Sequence, residues 1–259
     1  MTCAERMGYL SVPTDTRLTK NMRALIIIPT FNESENIGVL IPWVFEVLKE
    51  KGVEAHILVV DDNSPDRTAQ IVLGLRDDGF SSRLFILLRK RKMGLGSAYV
   101  AGFHWGLDRG YHCLAQMDAD LSHNPVYLPQ MLKKTKTHSV VVGSRYVSGG
   151  FIKGWGIWRR LISRGGSLYA KGILSVPIND LTGGYNIWTR SALLGINPDT
   201  IRSEGYAFQI EMKYQAFKKG FRFSEFPIIF VDRTQQRSKM SKRIFIEAVY
   251  RVWKLRLTP

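Results

Sequence analysis

Two closely spaced carboxylates are the first residues of the sequence whose types and spacing point to chemistry. Asp118-Ala119-Asp120 follows the apolar run Leu114–Met117, so it lies where a predicted strand ends and the chain turns. Carboxylate oxygens this close together suit Mg²⁺ or Mn²⁺ held jointly with phosphate oxygens. An acidic turn is also a common loop or helix cap, so Asp118 and Asp120 need a second observation.

A second acidic pair supplies it. Asp61-Asp62 follows another predicted strand, Ile57–Val60. Because parallel strands end on the same side of a sheet, we expect both acidic turns in one crevice. Carboxylates gathered there repel one another unless a cation, or a ligand that brings one, lies between them. The two turns together predict a site for a metal-bound diphosphate.

A glycine-containing turn is a further candidate for binding phosphate. Gly94-Leu95-Gly96 follows four consecutive cations, residues 89–92, and precedes a predicted helix, where backbone N–H groups can approach an anion. The turn lacks the third glycine of a dinucleotide fingerprint and the Lys-Ser/Thr of a P-loop. A plain turn with a helix cap is therefore an equal alternative.

The sequence lacks the motifs of other common catalytic sites. None of the five histidines stands in an HExxH motif, and no GxSxG elbow is present, which disfavours metalloprotease and serine hydrolase chemistry. We expect His123, beside the acidic turn, to be a hydrogen-bonded loop residue. Cys3 and Cys113 form no pairing pattern, so we expect neither a disulfide scaffold nor a thiolate zinc site, and we predict a reducing, cytosolic environment.

The elements that position these turns alternate between short β-branched runs and longer helical patterns. This alternation predicts an α/β fold with a parallel, Rossmann-like sheet. Pro42 should break the first helical pattern unless it begins a second segment. The predicted strands are Leu25–Ile28, Ile57–Val60, Leu84–Leu88, Leu114–Met117 and Val140–Val142, and the predicted helices are Glu35–Lys51, Arg67–Leu75, Leu95–Arg109 and Val126–Lys136.

The second part of the chain has a different rhythm, although 259 residues with 45% apolar content fit one elaborated domain. Glycine-rich links and amphipathic segments come first, then a predicted helix over Phe208–Lys218, a strand over Phe221–Val231 and a basic amphipathic helix over Ser241–Leu257. We predict an extension over residues 1–23, disordered in part, and a catalytic domain over 24–240. Its nucleotide-binding half is 24–145 and its acceptor half is 146–240, and residues 241–259 form a terminal helix at a membrane interface.

The charge of the chain is positive and unevenly distributed. The net charge is +15, and residues 121–179 contain nine cations and no acidic residue. Trp155 and Trp158 beside Arg159 and Arg160 favour an interface with something anionic over a merely solvated surface. The sequence contains no apolar run long enough to cross a bilayer, and its first 23 residues lack the apolar block of a signal peptide.

The same charge, with 11% aromatic residues, also suits a nucleic-acid-binding protein. That alternative leaves the two acidic turns unexplained, because a phosphate backbone would avoid them. We therefore expect no nucleic acid partner.

Short motifs at the predicted strand ends and through the second half form a recognisable set. They are Pro29-Thr30-Phe31-Asn32-Glu33, Val59-Val60-Asp61-Asp62-Asn63-Ser64-Pro65-Asp66, Gly94-Leu95-Gly96-Ser97-Ala98-Tyr99, Asp118-Ala119-Asp120-Leu121-Ser122-His123-Asn124-Pro125, Gly143-Ser144-Arg145-Tyr146, Trp158-Arg159-Arg160-Leu161-Ile162-Ser163, Asp180-Leu181-Thr182-Gly183-Gly184-Tyr185, Glu204-Gly205-Tyr206-Ala207-Phe208-Gln209 and Phe230-Val231-Asp232-Arg233. Over roughly residues 24 to 245 the chain resembles the polyprenyl (dolichyl) phosphate mannosyltransferases, inverting glycosyltransferases of family two. The block from Gly143 to Lys239 narrows the resemblance to this branch.

The resemblance implies a GT-A fold, a GDP-mannose donor, Mg²⁺ or Mn²⁺, and a polyprenyl or dolichyl phosphate acceptor. It places the enzyme peripherally on the cytosolic face of an anionic membrane: the endoplasmic reticulum in a eukaryote, the plasma membrane in a prokaryote. A different donor for the same lipid, such as UDP-glucose, stays open. So does a separate membrane-anchoring protein.

The resemblance also assigns roles residue by residue. Asp118, Asp120, Arg233 and Lys239 would be catalytic. Gln236 stands where the family has a glycine in the segment before Lys239, and a turn that needs a positive φ forms less readily with glutamine. The nucleotide sugar would contact Pro29, Phe31, Glu33, Val60, Asp62, Asp118, Ala119, Asp120, Arg145, Arg233 and Lys239; the acceptor phosphate Arg145, Arg159, Ser163 and Arg233; and the metal Asp118, Asp120 and Ser122.

Overall fold

A computed structural model describes residues 23–232 and 242–257 of the chain, except the side chains of residues 242–249. The strands are β1 Ala24–Thr30, β2 Ala55–Asp61, β3 Leu84–Leu88, β4 Cys113–Gln116, β5 Val140–Ser144, β6 Phe151–Lys153, β7 Asn186–Thr189, β8 Phe223–Pro227 and β9 Ile229–Val231. The helices are α1 Ser34–Glu50, α2 Thr68–Leu75, α3 Leu95–Asp108, α4 Leu128–Lys134, α5 Ile157–Leu174, α6 Arg190–Ile196, α7 Gly205–Lys218 and α8 Lys242–Leu257.

Seven strands form the central sheet, in the order β3-β2-β1-β4-β7-β5-β8. All neighbours are parallel except β7, which runs antiparallel to both β4 and β5. Strands β6 and β9 pair separately as a small parallel sheet. The prediction of an α/β fold with a mostly parallel sheet is confirmed, and the two predicted halves of the chain share this one sheet.

The central strand β1 shows why the sheet is buried on both faces. Every residue from Ala24 to Thr30 is buried, and its side chains alternate between two hydrophobic clusters. One cluster contains Ile26, Ile28 and the apolar face of α1, whereas the other contains Leu25, Ile27 and the buried faces of α3 and α7. Helices on both faces leave the carboxyl ends of the parallel strands free to form a crevice.

Helix α1 corrects the expectation that Pro42 breaks it. The helix is continuous from Ser34 to Glu50 with Pro42 inside. A proline in a helix interior costs about 3 kcal/mol. Burial of Ile37, Leu40 and six further apolar residues of the same helix offsets that cost.

Two expectations in the second half need correction. The predicted strand Phe221–Val231 is two strands, because Pro227 ends β8 and the chain crosses at Ile228 to pair β9 with β6. Strand β7 is absent from the sequence prediction because it is short and begins with the buried polar residue Asn186. The final helix is confirmed as α8. Within residues 23–232 and 242–257, no helix is both long and apolar enough to cross a bilayer.

Candidate active site

A pocket opens at the carboxyl ends of β1, β2 and β4. It brings together both acidic turns and the glycine turn, as the parallel topology requires. Among the described residues predicted to contact the nucleotide sugar, Val60 and Arg145 do not line this pocket; the side chain of Val60 is fully buried in the core. The pocket is lined by Pro29, Thr30, Phe31, Glu33, Asp62, Lys92, Gly94, Leu95, Ala98, Asp118, Ala119 and Asp120.

The first carboxylate at the end of β2 is fixed by hydroxyl groups. Oδ1 of Asp61 accepts hydrogen bonds from Thr30 Oγ1 at 2.8 Å and Ser64 Oγ at 2.6 Å, and Oδ2 accepts from the Ser64 backbone N–H at 2.9 Å. Asp61 is therefore a buried element of the turn that follows β2, and its hydrogen bond from Thr30 fixes that turn to the end of β1.

The neighbouring carboxylate is neutralised by an arginine. Asp62 forms an ion pair with Arg89 and accepts a hydrogen bond from the Met93 backbone N–H at 2.9 Å. Arg89 also donates to Ser97 Oγ at 2.9 Å and to the Gly94 carbonyl at 3.2 Å. This corrects the expectation that Asp61 and Asp62 need a ligand-borne cation, because the chain itself supplies the compensation.

The glycine turn lines the pocket, and it also binds Arg89 through the Gly94 carbonyl. Gly94 has φ of 95°, a conformation that favours glycine, and directly precedes α3. Lys92 lies over the Phe31 ring, with Nζ 4.1 Å from the ring centroid. Neither Arg89 nor Lys92 was singled out from the sequence, where they are two cations in a run of four.

Asp118 faces the pocket with its side chain 26% exposed. Its Oδ1 accepts a hydrogen bond from Tyr99 Oη at 2.8 Å. Burial, followed by the negative charge of Asp118, raises the pKa of Tyr99 well above its usual value, so Tyr99 stays protonated and donates. The carboxylate is thus held in one orientation by a buried phenol.

Asp120 is oriented by Ser122. Asp120 Oδ1 accepts from the Ser122 backbone N–H at 3.1 Å and from Ser122 Oγ at 2.6 Å. In the described part of the chain, no group of three or more His, Cys, Asp or Glu residues is arranged to hold a metal ion. The two carboxylates at Asp118 and Asp120 nevertheless fit Mg²⁺ or Mn²⁺ if phosphate oxygens and water complete the coordination, which is the usual arrangement for Mg²⁺.

His123 is a hydrogen-bonded loop residue, as expected. Its Nδ1 accepts from the Asp118 backbone N–H at 3.0 Å, which places the proton of the neutral ring on Nε2. The ring stacks on Tyr185 with centroids 4.8 Å apart, and its centroid lies 6.0 Å from that of Phe230. His123 thereby connects the acidic turn to a second group of residues.

Arg145 belongs to this second group but is buried. Its Nε and Nη2 each donate to Asp180 at 2.7 Å, and its backbone N–H donates to the same carboxylate at 3.0 Å. Burial alone would raise the pKa of Asp180, but the Arg145 guanidinium outweighs burial and holds that pKa below its usual value. The cation predicted to bind phosphate is therefore already clamped by an acidic residue.

The other predicted acceptor residues converge around Trp155. Arg159 Nη1 lies 2.9 and 3.1 Å from the two carboxylate oxygens of Asp232, and its Cζ lies 4.1 Å from the Trp155 ring centroid. Arg145 Cζ lies 5.8 Å from the same centroid. Ser163 accepts a hydrogen bond from Tyr146 Oη at 2.7 Å. We call Arg145, Tyr146, Trp155, Arg159, Ser163, Phe230 and Asp232 the arginine cluster. Arg233, Gln236 and Lys239 lie outside the described residues.

A buried lysine behind the arginine cluster was missed from the sequence. Lys213 Nζ on α7 donates to the carbonyls of Asp180 at 3.0 Å, Leu181 at 3.2 Å and Gly183 at 2.8 Å. Burial lowers the pKa of Lys213 to about 7, although the charge of Asp180 opposes the shift. Its position within an otherwise buried helix, Ala207 to Tyr214, carries no motif by which sequence could have identified it.

Comparisons with known proteins give a family match and two similar relatives. Residues 25–194, more than half of the chain, match the family model of Glycosyl transferase family 2. The chain is 43% identical over 231 residues to an undecaprenyl-phosphate mannosyltransferase of Micrococcus luteus, covering 89% of this chain and 93% of that protein. It is 41% identical over 250 residues to a polyprenol monophosphomannose synthase of Mycolicibacterium smegmatis, covering 94% and 91%.

Solved structures support the same fold. The crystal structure of glucosyl-3-phosphoglycerate synthase from Mycobacterium tuberculosis in complex with phosphoglyceric acid superimposes with a TM-score of 0.67 at 15% identity, covering 92% of this chain and 81% of that one. A complex of that protein with Mn²⁺, uridine-diphosphate-glucose and phosphoglyceric acid gives a TM-score of 0.66 with the same identity and coverage. The GT-A architecture expected from the sequence is thereby confirmed.

Proposed function

The chain belongs to glycosyl transferase family 2, and on this premise we propose that it transfers mannose from GDP-mannose to a polyprenyl or dolichyl phosphate with inversion at the sugar carbon. One observation carries the proposal: a pocket containing Asp118 and Asp120 adjoins the arginine cluster through His123 and Phe230. A nucleoside diphosphate and a phosphate acceptor need these two kinds of surface side by side. The names of the two relatives, identical at 43% and 41%, support the same reaction.

On the donor side, the leaving diphosphate needs stabilisation of its growing negative charge. Asp118 and Asp120 would hold Mg²⁺ or Mn²⁺ against the diphosphate oxygens, and a bound divalent ion supplies that stabilisation. Ser122 would keep Asp120 oriented, as its two hydrogen bonds already do. We assign Arg233 and Lys239 to the same charge on the strength of the motif alone.

On the acceptor side, a phosphate monoester has a second pKa near 6 and is mostly doubly charged at pH 7. It can attack without a general base, so the chain has to orient it rather than activate it. Arg159 suits this task because its side chain is 43% exposed and its partner Asp232 is 31% exposed. A phosphate that displaces Asp232 gains the same paired arginine contact. Arg145 and Ser163 would form the inner wall of the acceptor site.

The surface beside the arginine cluster favours peripheral binding to an anionic membrane. Helix α5 exposes Ile157 at 70% and Trp158 at 76%, and these apolar side chains are interleaved with cations. An acceptor whose phosphate lies at headgroup level requires a crevice that reaches this plane. Trp155, predicted with Trp158 to lie at an interface with something anionic, belongs instead to the arginine cluster, since its Nε1 donates to Asp232 at 3.1 Å and its ring packs on Arg159.

The experiment that tests the function is incubation of the protein with labelled sugar nucleotides and a polyprenyl phosphate, followed by lipid extraction. We expect label from GDP-mannose in the organic phase, and about 10²–10³-fold slower labelling with Asp120→Ala. Label from UDP-glucose instead would show that the proposed donor is wrong and that the proposed acceptor is right. No labelled lipid with any donor, together with salt-sensitive binding to duplex DNA, would overturn the proposal in favour of a nucleic-acid-binding protein.

A further inference from the structure

A buried network of amide side chains lies behind Asp118. It begins at Trp188, whose indole Nε1–H donates to Gln116 Oε1 at 2.8 Å. Because an indole nitrogen can only donate, the atom of Gln116 that faces it must be the carbonyl oxygen. The hydrogen bond from Trp188 therefore fixes the orientation of Gln116, although the oxygen and the nitrogen of a side-chain amide have nearly the same shape.

The fixed oxygen sets the orientation of the next two amides. Asn186 Nδ2 lies 3.1 Å from Gln116 Oε1 and 3.1 Å from the Gly183 carbonyl, both acceptors, so the nitrogen of Asn186 must face them. The same Nδ2 lies 3.0 Å from Gln209 Oε1. Gln209 must therefore present its oxygen to Asn186 and turn its Nε2 the other way.

The Nε2 group of Gln209 has no hydrogen-bond partner among the described residues, although Gln209 is only 3% exposed. A buried donor left without an acceptor destabilises the folded chain. Gln116 Nε2 and Asn186 Oδ1 are also unpartnered within the same part of the chain. What distinguishes Gln209 is the place to which its N–H groups point.

That place is a small space beside Gly184. A Cβ atom added to Gly184 would lie 3.6 Å from Asp118 Oδ2, 3.6 Å from His123 Cε1 and 3.7 Å from Gln209 Nε2. A side-chain methyl group at this position would be in ordinary contact with an acceptor, Asp118 Oδ2, and with a donor, Gln209 Nε2, and the glycine leaves both uncovered on this side. This space lies beside the partly exposed Gly184 and next to Asp118, which lines the pocket. We call it the Gly184 cradle.

A hydroxyl group matches the Gly184 cradle. It can accept a hydrogen bond from Gln209 Nε2 and donate one to Asp118 Oδ2, which satisfies both boundary groups. An anion would be repelled by Asp118, and an apolar group would leave the Gln209 donor unsatisfied.

The position of the cradle identifies the source of the hydroxyl. Asp118 lines the nucleotide pocket on one side, and His123 leads through Phe230 to the arginine cluster on the other. The transferred group has to lie between them. We infer that the Gly184 cradle binds a hydroxyl of the donor's sugar, with Gln209 as a specificity-determining residue; this inference rests on the proposed function.

Two substitutions test the cradle from opposite directions. Gly184→Ala fills it, and its Cβ contacts no neighbour closer than 3.6 Å, so the fold should tolerate it. Gln209→Met keeps most of the volume and removes the N–H donor. Gly74→Ala is the matched control, because nothing lies within 4 Å of a Cβ at that position on α2.

The measurement is the affinity of each variant for GDP-mannose and for GDP, by calorimetry in Mg²⁺ buffer. Loss of one hydrogen bond corresponds to about a 3- to 10-fold weakening. We expect that loss for GDP-mannose with both variants, a change of less than about twofold for GDP, and no change for either ligand with Gly74→Ala. Among monodeoxy analogues of GDP-mannose, the one that lacks the relevant hydroxyl should bind the native chain and Gln209→Met equally.

Equal weakening of GDP and GDP-mannose would overturn the inference, and so would no weakening of either. If neither ligand binds more weakly and only the thermal stability of the variants falls, the cradle holds only a water molecule. If the native chain prefers another sugar nucleotide, the proposed donor is wrong. The cradle is then tested in the same way with that sugar nucleotide and its own nucleoside diphosphate, so the two failures stay distinguishable.

Discussion

The nucleotide pocket and the arginine cluster hold their charged groups in opposite ways. In the pocket, Asp61 and Asp62 are satisfied by hydroxyls and by Arg89, which leaves Asp118 facing the pocket from a fixed orientation. In the arginine cluster, the cations themselves are paired, Arg145 with Asp180 and Arg159 with Asp232. The pocket is therefore preorganised for its ligand, whereas the cluster has to exchange or share a carboxylate when a phosphate arrives.

The two arginine pairs also differ from each other. Arg145 and Asp180 are 7% and 0% exposed, whereas Arg159 and Asp232 are 43% and 31% exposed. Breaking a buried pair leaves a costly isolated charge, but an exposed pair contributes little to stability. We therefore expect Arg145 to act mainly as a rigid wall and Arg159 as the residue that changes partner.

The largest effect is expected where the pocket is preorganised. Asp120→Ala should lower transfer by about 10²–10³-fold, since it removes one of two carboxylates at the point where the diphosphate charge develops. Mn²⁺ binding, followed by paramagnetic resonance, should weaken in parallel. The control is Asp77→Ala, whose side chain is 69% exposed. Near-normal turnover at low metal concentration would show that Asp120 does not hold the metal.

The second prediction separates the two arginines. Arg159→Ala should raise the KM for the lipid phosphate about 10- to 100-fold with an unchanged melting temperature, because a hydrogen bond to a charged group contributes about 1.5–3 kcal/mol. Arg145→Ala should instead lower the melting temperature, because it leaves Asp180 buried without its cation.

Lysine at position 159 should rescue only part of the loss, since it lacks the paired donors of arginine. The comparison between the two sites fails if both alanine variants lose affinity for donor and acceptor equally. Affinity for GDP, measured in the same samples, provides that check.

The same contrast explains what the sequence could predict. The acidic turns and the strands before them are local signals, so the sequence predicts Asp118 and Asp120 at the crevice, and the family resemblance adds Phe31 and Glu33. All four residues line the pocket. The compensation of Asp62 by Arg89 was not predicted, because the two residues are 27 positions apart. Charge pairing at such separations depends on the path of the chain rather than on any motif.

The arginine cluster was harder to predict for the same reason. Arg145 and its partner Asp180 are 35 positions apart, and Arg159 and Asp232 are 73 apart. Family resemblance identified the arginines but not the carboxylates that hold them. Strand β7 lies between β4 and β5, but no apolar run in the sequence predicts it. Its position in the sheet brings Asn186 and the Gly184 cradle behind Asp118.

The third prediction concerns Lys213, which ties the loop between the two regions to α7. The pKa of Lys213 is about 7 in the folded chain, against 10.5 ordinarily. Between these values the unfolded state binds more protons, so stability rises with pH. From pH 7 to about pH 8.5 the gain should be about 1–2 kcal/mol.

Urea unfolding of native protein and Lys213→Met at the two pH values measures this gain, which the variant should lack. The range stops below 9.0, the usual pKa of a cysteine thiol, because burial raises the pKa of Cys113 and its titration would oppose the trend. Lys218→Met, on the same helix but outside the buried network, should keep the native slope. A native slope in Lys213→Met would mean that this lysine stays protonated in the folded chain.

The smallest effects are expected at the membrane, and two tryptophans three positions apart allow a direct comparison. Trp158 is 76% exposed on α5, whereas Trp155 packs within the arginine cluster. Trp158→Ala should weaken flotation with anionic vesicles about fivefold, and Arg164→Gln by a similar factor, since a cation near the surface contributes about 1 kcal/mol. Trp155→Ala should leave flotation unchanged but raise the KM for the lipid phosphate, because it removes the ring against which Arg159 packs.

Trp253→Ala, at a residue 49% exposed on α8, tests whether the final helix belongs to the same surface. If flotation of the native chain is indifferent to anionic lipid, to salt and to Trp158, then α5 is not the docking surface, and a separate membrane protein must bring the enzyme to its acceptor.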